Sequence, residues 1–151
     1  MPQSLSQIYL HVVFSTKHRV PNLTDPALRE QTHAYLVGTC QNLNSPSLRV
    51  GGVEDHVHIL CRLSKTLCVA DFVRELKRES SKWLKEQSPE LASFYWQNGY
   101  GAFSISPGHV DRLKDYIANQ EVHHKAESFQ DEMRRLLKLY ELDYDERYLW
   151  D

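Results

Sequence analysis

The sequence predicts an α+β domain on the ferredoxin-like, RRM-like plan: a four-stranded antiparallel sheet in the order β-α-β-β-α-β, followed by one added helix. Three observations carry this. Runs of period-two hydrophobicity alternate with runs of helical period; the second and third strand-like runs follow one another across a glycine turn; and a serine-proline helix start follows the fourth.

In residues 7–17, Ile8, Leu10, Val12 and Phe14 alternate with Tyr9, His11, Val13 and Ser15, the pattern of a half-buried strand. After the turn at Pro21-Asn22, Asp25 is placed to cap a helix with Pro26 at its first position, and Leu28, Thr32, Tyr35 and Leu36 form its stripe to about Gln41. A turn over residues 42–46 leads to two strand-like runs, 48–53 and 55–63, with Gly51-Gly52 and Glu54 between them. The second helix covers residues 69–87, its stripe Val69, Phe72, Val73, Leu76, Ser80, Trp83 and Leu84, and Pro89 ends it. A looser stretch, 94–100, precedes a fourth strand at 102–106. Ser106-Pro107 then opens a third helix, with Val110, Leu113 and Ile117 as its apolar face. Two helices already back the sheet, so this face is expected to seek another surface, a second subunit. Phe129, Met133, Leu136, Leu137 and Tyr140 space a short helix, and residues 142–151 read as an irregular aromatic-acidic arm. The whole, residues 1–151, is expected to be one domain with its core in 5–125 and a C-terminal segment at 126–151.

Composition agrees. Of 151 residues 41% are apolar and 25% charged, with 6 Gly and 6 Pro, which excludes disordered and collagenous chains. The longest apolar runs fall far short of the roughly 20 residues a membrane span needs, and the first residues lack the pattern of a secretory signal, so a cytoplasmic protein is expected. Cys40, Cys61 and Cys68 are odd in number and form no C-x-x-C pair; they are expected to be small buried hydrophobes. The net charge of -2 conceals a division: residues 121–151 hold nine acids against five bases, and the body before them thirteen bases against eleven acids.

The chemistry concentrates in two places. In Asp55-His56-Val57-His58-Ile59, His56 and His58 share one strand face, roughly 6 to 7 Å apart at about 3.3 Å rise per residue. Two imidazoles so placed can converge on one ion, or can be two hydrogen-bonded histidines. Tyr116 and Gln120, four residues apart, share a flank of the third helix off its apolar stripe. A glutamine oxygen suits a hard divalent ion, and two imidazoles with one amide leave coordination positions open for a substrate phosphate. Taken alone, the tyrosine and glutamine also fit an ordinary exposed helix flank.

His56-Val57-His58 and Tyr116-Ile117-Ala118-Asn119-Gln120 together resemble the histidine-hydrophobe-histidine motif and tyrosine helix of the single-tyrosine HUH transposases of bacterial insertion sequences, the group numbered two hundred and six hundred and five. Strand 10–17 and the ending Asp145-Glu146-Arg147-Tyr148-Leu149-Trp150 also resemble members of that group, and the likeness spans about residues 5–125. The resemblance implies a metal-dependent transposase that cuts and rejoins single-stranded DNA at hairpin-marked ends. In it, Mg²⁺ or Mn²⁺ is held by His56, His58 and Gln120, and Tyr116 attacks phosphorus to give a 5′-phosphotyrosine and a free 3′-OH. It further implies a homodimer in which the tyrosine helix of one subunit completes the histidine site of the other, at work in the cytoplasm on nucleoid DNA. A domesticated enzyme cutting genomic repeat hairpins, and a catalytically idle nucleic-acid-binding module, are the alternatives.

A phenol with a pKa near 10 is a poor nucleophile when neutral, so some group must help it; the sequence does not identify that group, although His109 and His123 lie on the same flank. With a net negative charge, DNA must be met by a local patch. Lys17-His18-Arg19, a short basic loop after the first strand, is one candidate; the ridge Arg74, Arg78, Lys82 and Lys85 on the second helix is another, against its reading as a solvated face paired with Glu75, Glu79 and Glu86. Tyr95, Trp96, Tyr100 and Phe103 are either base-stacking groups or core.

Overall fold

Strand β1 (Tyr9–Ser15), helix α1 (Pro26–Asn42), strands β2 (Ser47–Gly52) and β3 (His56–Arg62), helix α2 (Val69–Lys85) and strand β4 (Gly101–Ile105) follow in the expected order. They are seen in a computed structural model that describes residues 2–151. The sheet order is β2-β3-β1-β4, with every neighbouring pair antiparallel. Strands one and three are therefore central, as the ferredoxin-like plan requires.

The period of two divides each central strand between two faces. Leu10, Val12 and Phe14 of β1 and Val57, Ile59 and Cys61 of β3 point to one side, where they pack with Leu36 and Cys40 of α1 and Phe72, Val73, Leu76 and Leu84 of α2. Fully buried side chains such as Phe14 and Phe72 each contribute about 1.5–3 kcal/mol. Local chemistry sets the helix starts. The Asp25 carboxylate accepts the Ala27 N–H at 3.0 Å, with Pro26 next to it. Cys68 caps α2, its Sγ accepting the Asp71 N–H at 3.4 Å; it is exposed, unlike the buried Cys40 and Cys61, which corrects the expectation of three buried thiols.

The opposite face is covered by the C-terminal third of the same chain. A 3-10 turn at Pro107–His109 leads into α3 (Val110–Ala118), Asn119 breaks the helix, and a single turn follows, α4 (Gln120–His123). Helix α5 (Phe129–Leu139) is capped by Ser128, whose hydroxyl accepts the Asp131 N–H. Phe129, Met133, Leu136 and Leu137 of α5 close a second, smaller core over Val13 and Phe103. The terminal arm is not irregular throughout: α6 (Glu146–Leu149) forms, and Trp150 packs edge-on against Phe129 at 6.1 Å between ring centres. No helix among the described residues is long and apolar enough to cross a membrane.

One residue of the apolar stripe of α3 is covered within its own chain, while Val110 and Leu113 stay half-exposed. Ile117, 1% exposed, packs on β2 of its own chain rather than waiting for another subunit. Gly51 makes this approach possible, because a β-carbon there would lie 2.7 Å from the Ile117 carbonyl oxygen and 2.8 Å from its Cγ2. Gly51→Ala should therefore lift α3 from the sheet and cost about 1–3 kcal/mol, the usual range for overpacking, read as a lower midpoint in thermal denaturation. An unchanged midpoint would show that α3 is not seated tightly on β2.

Candidate active site

Strand β3 sets the site. His56 and His58 fall on the face opposite the main core, paired in register with Ser15 and Val13 of β1, and both are fully buried with ring centres 5.2 Å apart. Tyr116 reaches over them from α3, its ring edge-on to His58 at 5.9 Å, while Gln120, 1% exposed, turns inward from α4. The break at Asn119 lets the two point differently: Gln120 is buried and Tyr116 only half-buried.

Glu132 of α5 stands at the centre, with no exposed surface. Its Oε1 lies 2.9 Å from His58 Nε2, 3.3 Å from His56 Nε2 and 3.1 Å from His124 Nε2. Its Oε2 accepts from Gln120 Nε2 at 3.2 Å and from the Tyr116 hydroxyl. The Gln120 carbonyl oxygen faces His56 Nε2 at 3.2 Å. Behind the imidazoles stands a second ring of partners. Asp55 Oδ1 is 2.7 Å from His56 Nδ1, and His11 Nε2 is 2.8 Å from His58 Nδ1, the two rings stacked at 5.1 Å. Such contacts fix which ring nitrogen is left free to bind. Outside, Arg135 donates from Nη2 to the Tyr116 oxygen at 2.7 Å, and Glu127 holds the same guanidinium at 3.0 and 3.1 Å.

The electrostatics follow from this packing. Burial would raise the pKa of the Glu132 carboxyl, but hydrogen bonds from His124, His56 and His58 outweigh it and hold the group well below the usual carboxylate range. Burial alone would lower His56; hydrogen bonds to Asp55 and Glu132, together with their charges, instead raise it to about 9, so this ring carries a proton at neutral pH. His11 is driven the other way, by burial and then by His58, well below its ordinary value. The Tyr116 phenol is pushed up by burial and by the Glu132 charge, with Arg135 pulling against them.

These residues suit a divalent cation. The donor atoms of His56, His58, His124 and Glu132 lie within 4.8 Å of one another, and imidazoles with one carboxylate form a donor set for a divalent transition-metal ion. A proton on His56 is what such an ion would displace.

Four of the residues singled out from sequence thus meet: His56, His58, Tyr116 and Gln120. The basic groups do not. Arg74, Arg78, Lys82 and Lys85 lie on α2, across the sheet from the cluster; Arg74 pairs with Asp71, Arg78 with Glu75 and Glu79, and Lys85 sits over the Tyr95 ring. In the turn after β1, Arg19 donates to the Trp150 carbonyl and lies over its ring, beside the exposed His18 and the half-exposed Lys17. Trp96 and Phe103 are core, whereas Tyr95 and Tyr100 are exposed. His109 bonds Ser106, and the His123 ring lies tilted against Tyr116, 4.5 Å between ring centres.

Glu132, His124, His11 and Arg135 escaped the sequence reading. Two left a signal: His11 shares its strand face with Val13 and Ser15, and Glu132 interrupts the apolar stripe of Phe129, Met133 and Leu136, where an unpaired acid would be costly. His124 and Arg135 left none.

Comparison with known proteins bears on all of this. Two curated relatives, the transposases for insertion sequence element IS200 of Salmonella typhimurium and of Salmonella typhi, are each 28% identical over 115 residues, covering 73% of this chain and 74% of theirs. Among solved structures, a Deinococcus radiodurans protein described as a candidate transposase matches with a TM-score of 0.62 at 20% identity, over 80% of this chain and 95% of its own. A REP-associated tyrosine transposase bound to a REP hairpin matches with a TM-score of 0.60 at 13% identity, over 82% and 72%. At these identities the structures show a shared fold. The family model "Transposase IS200 like" matches residues 4–120, from the strand that carries His11 to the glutamine beside Glu132, and the chain belongs to that family.

Proposed function

We propose that this protein is a metal-dependent, single-stranded DNA transposase that cuts hairpin-marked ends through a 5′-phosphotyrosine at Tyr116 and rejoins strands from the same site. The observation that carries the reading is the meeting of a tyrosine hydroxyl with two strand histidines and a buried carboxylate at one point, within a family of transposases. The hairpin held by the REP-associated neighbour favours a folded DNA end as the ligand, and equally a repeat-hairpin endonuclease with the same site. Residues 1–151 are read as one unit, since α5 belongs to the site, and a DNA substrate supports work in the cytoplasm.

His56, His58 and Glu132 would hold the ion, with His124 and Gln120 facing the same point. When bound, a divalent cation supplies charge neutralisation on the phosphoryl oxygens. The chain's own groups do the rest. His11 and Asp55 fix the orientation of His58 and His56 through their outer nitrogens. The Tyr116 hydroxyl is aimed by its hydrogen bond to Glu132 Oε2, and its proton passes to water as the phenolic oxygen attacks phosphorus in line. The bond from phosphorus to the 3′-oxygen breaks, and that oxygen leaves with a proton from water. Arg135, already on the phenolic oxygen, stabilises negative charge as it passes to the phosphoryl group. Because the phosphodiester energy is kept in the tyrosyl ester, another 3′-OH can reverse the step without ATP.

Ile117 of the α3 stripe is buried on its own β2, which weakens the apolar-stripe argument for a tyrosine helix docked on another subunit and leaves only the family resemblance behind it. We propose instead that Tyr116 serves the histidines of its own chain.

Three outcomes test this. Tyr116→Phe, which removes one oxygen, should abolish the covalent protein-DNA adduct seen in denaturing gels with a palindrome-bearing single strand taken from DNA flanking the gene, and leave binding intact; an adduct formed by the Phe variant places the nucleophile elsewhere. Glu132→Gln and His56→Ala should each weaken Mn²⁺ binding by about 10–100-fold, measured by calorimetry on the free protein, while chelator removes cleavage and Mg²⁺ or Mn²⁺ restores it; unchanged affinity would take these groups out of the ion's sphere. Finally, Tyr116→Phe and His56→Ala chains mixed under conditions of subunit exchange should stay inactive. Recovery toward about a quarter of wild-type activity, the ceiling for random symmetric dimers, would restore the tyrosine shared between subunits.

A further inference from the structure

Between α3 and α5, beside Tyr116 and reaching His11 at the edge of the histidine cluster, runs a groove of about 520 Å³. That volume lies within the roughly 300–1,000 Å³ typical of small-ligand clefts. Leu113 and Leu136 form its apolar bed, Tyr116 stands at one end, and Leu139, 69% exposed, forms an apolar lip. The half-buried ring of Tyr140 is held in the wall by Phe103, tilted against it at 4.7 Å, and by its hydroxyl donating to the Ser104 carbonyl at 2.9 Å. Arg112, Arg135 and His109 stand on the rim, and no carboxylate lines the groove, in a chain whose net charge is -2. A slot with an aromatic wall, an apolar bed and a rim of cationic and imidazole groups is complementary to one kind of ligand above others: a nucleobase carried between two phosphates.

We propose that this groove holds the unpaired nucleoside whose 5′-phosphate is attacked by Tyr116, with its base on Tyr140 and its 3′-phosphate at Arg112 and His109. The assignment rests on the cleavage reading above. In an in-line displacement the 3′-oxygen departs on the side away from the tyrosine, so the nucleoside nearest the tyrosine ring is the one that remains attached through its 5′-oxygen. The groove opens beside the Tyr116 ring, within reach of that nucleoside. It therefore forms a specificity subsite for the first nucleotide after the cut, set by base size and stacking.

The test uses thymidine 3′,5′-bisphosphate and, as its base-less counterpart, deoxyribose 3′,5′-bisphosphate, each titrated into the full chain with methyl-labelled leucines and followed by NMR. Thymidine bisphosphate should shift the methyls of Leu113, Leu136 and Leu139. The base-less compound should bind at least about tenfold more weakly, since stacking contributes about 1–3 kcal/mol per base. Arg112→Ala should weaken the nucleotide by about tenfold, the worth of one charge-assisted contact. Leu139→Glu, which brings an acid to the lip, should do the same; both positions are exposed, and unchanged melting confirms the fold. Equal binding of the two bisphosphates, or shifts confined to α2, would overturn the subsite. The Tyr116 adduct assay is read separately: groove binding without an adduct leaves the subsite standing and removes the cleavage reading, whereas an adduct without groove binding removes the subsite alone.

Discussion

One buried carboxylate organises the functional face of this molecule. Glu132 has no contact with solvent and meets five side chains, from β3, α3 and the α4 turn. An uncompensated charge at such a place costs several kcal/mol, and hydrogen bonds to charged groups return about 1.5–3 kcal/mol each. The helix that bears it can dock only if the histidines, the glutamine and the tyrosine are all in position to receive it. Stability of the C-terminal layer and geometry of the site are thus one condition, and neither is met without the other.

The sheet supplies what that condition needs. Antiparallel pairing of β1 with both β3 and β4 puts alternate residues on opposite faces, so the same strands that bury Val12, Phe14, Val57 and Ile59 against two helices present His11, His56 and His58 to the other side. A rigid hydrophobic layer behind the imidazoles keeps their separation constant while the surrounding loops are free to vary. Asp55, at the turn before β3, and His11, on the neighbouring strand, come with this register at no further cost in chain length.

Much of this was legible in the sequence. Strand periodicity, the Asp25-Pro26 and Ser106-Pro107 helix starts, and the histidine pair are local signals, readable within a few residues, and the structure keeps them with boundaries moved by one to three positions. The fate of α3 was not legible, because a stripe such as Val110, Leu113 and Ile117 says that a surface is needed and not which one; Gly51, the residue that makes room for Ile117, lies 66 positions away from it. Glu132 was hidden in an acidic segment where charge is the rule. Its burial arises only when α5 folds over a strand that precedes it by 74 residues. Contacts of that separation leave no periodicity to read, and Arg135 on Tyr116 is a second case.

The order in which the site's parts occur along the chain has a bearing on its synthesis. β1 and β3 leave the ribosome early, the tyrosine helix next, and α5 among the last segments, and domains acquire structure from the N-terminus at about 5–20 residues per second. A growing chain can build its main core and expose both histidines and Tyr116 while the carboxylate that aims the hydroxyl does not yet exist. On the proposed cleavage reading, Tyr116 is thus unarmed during translation and its hydroxyl is aimed only when α5 closes the open face.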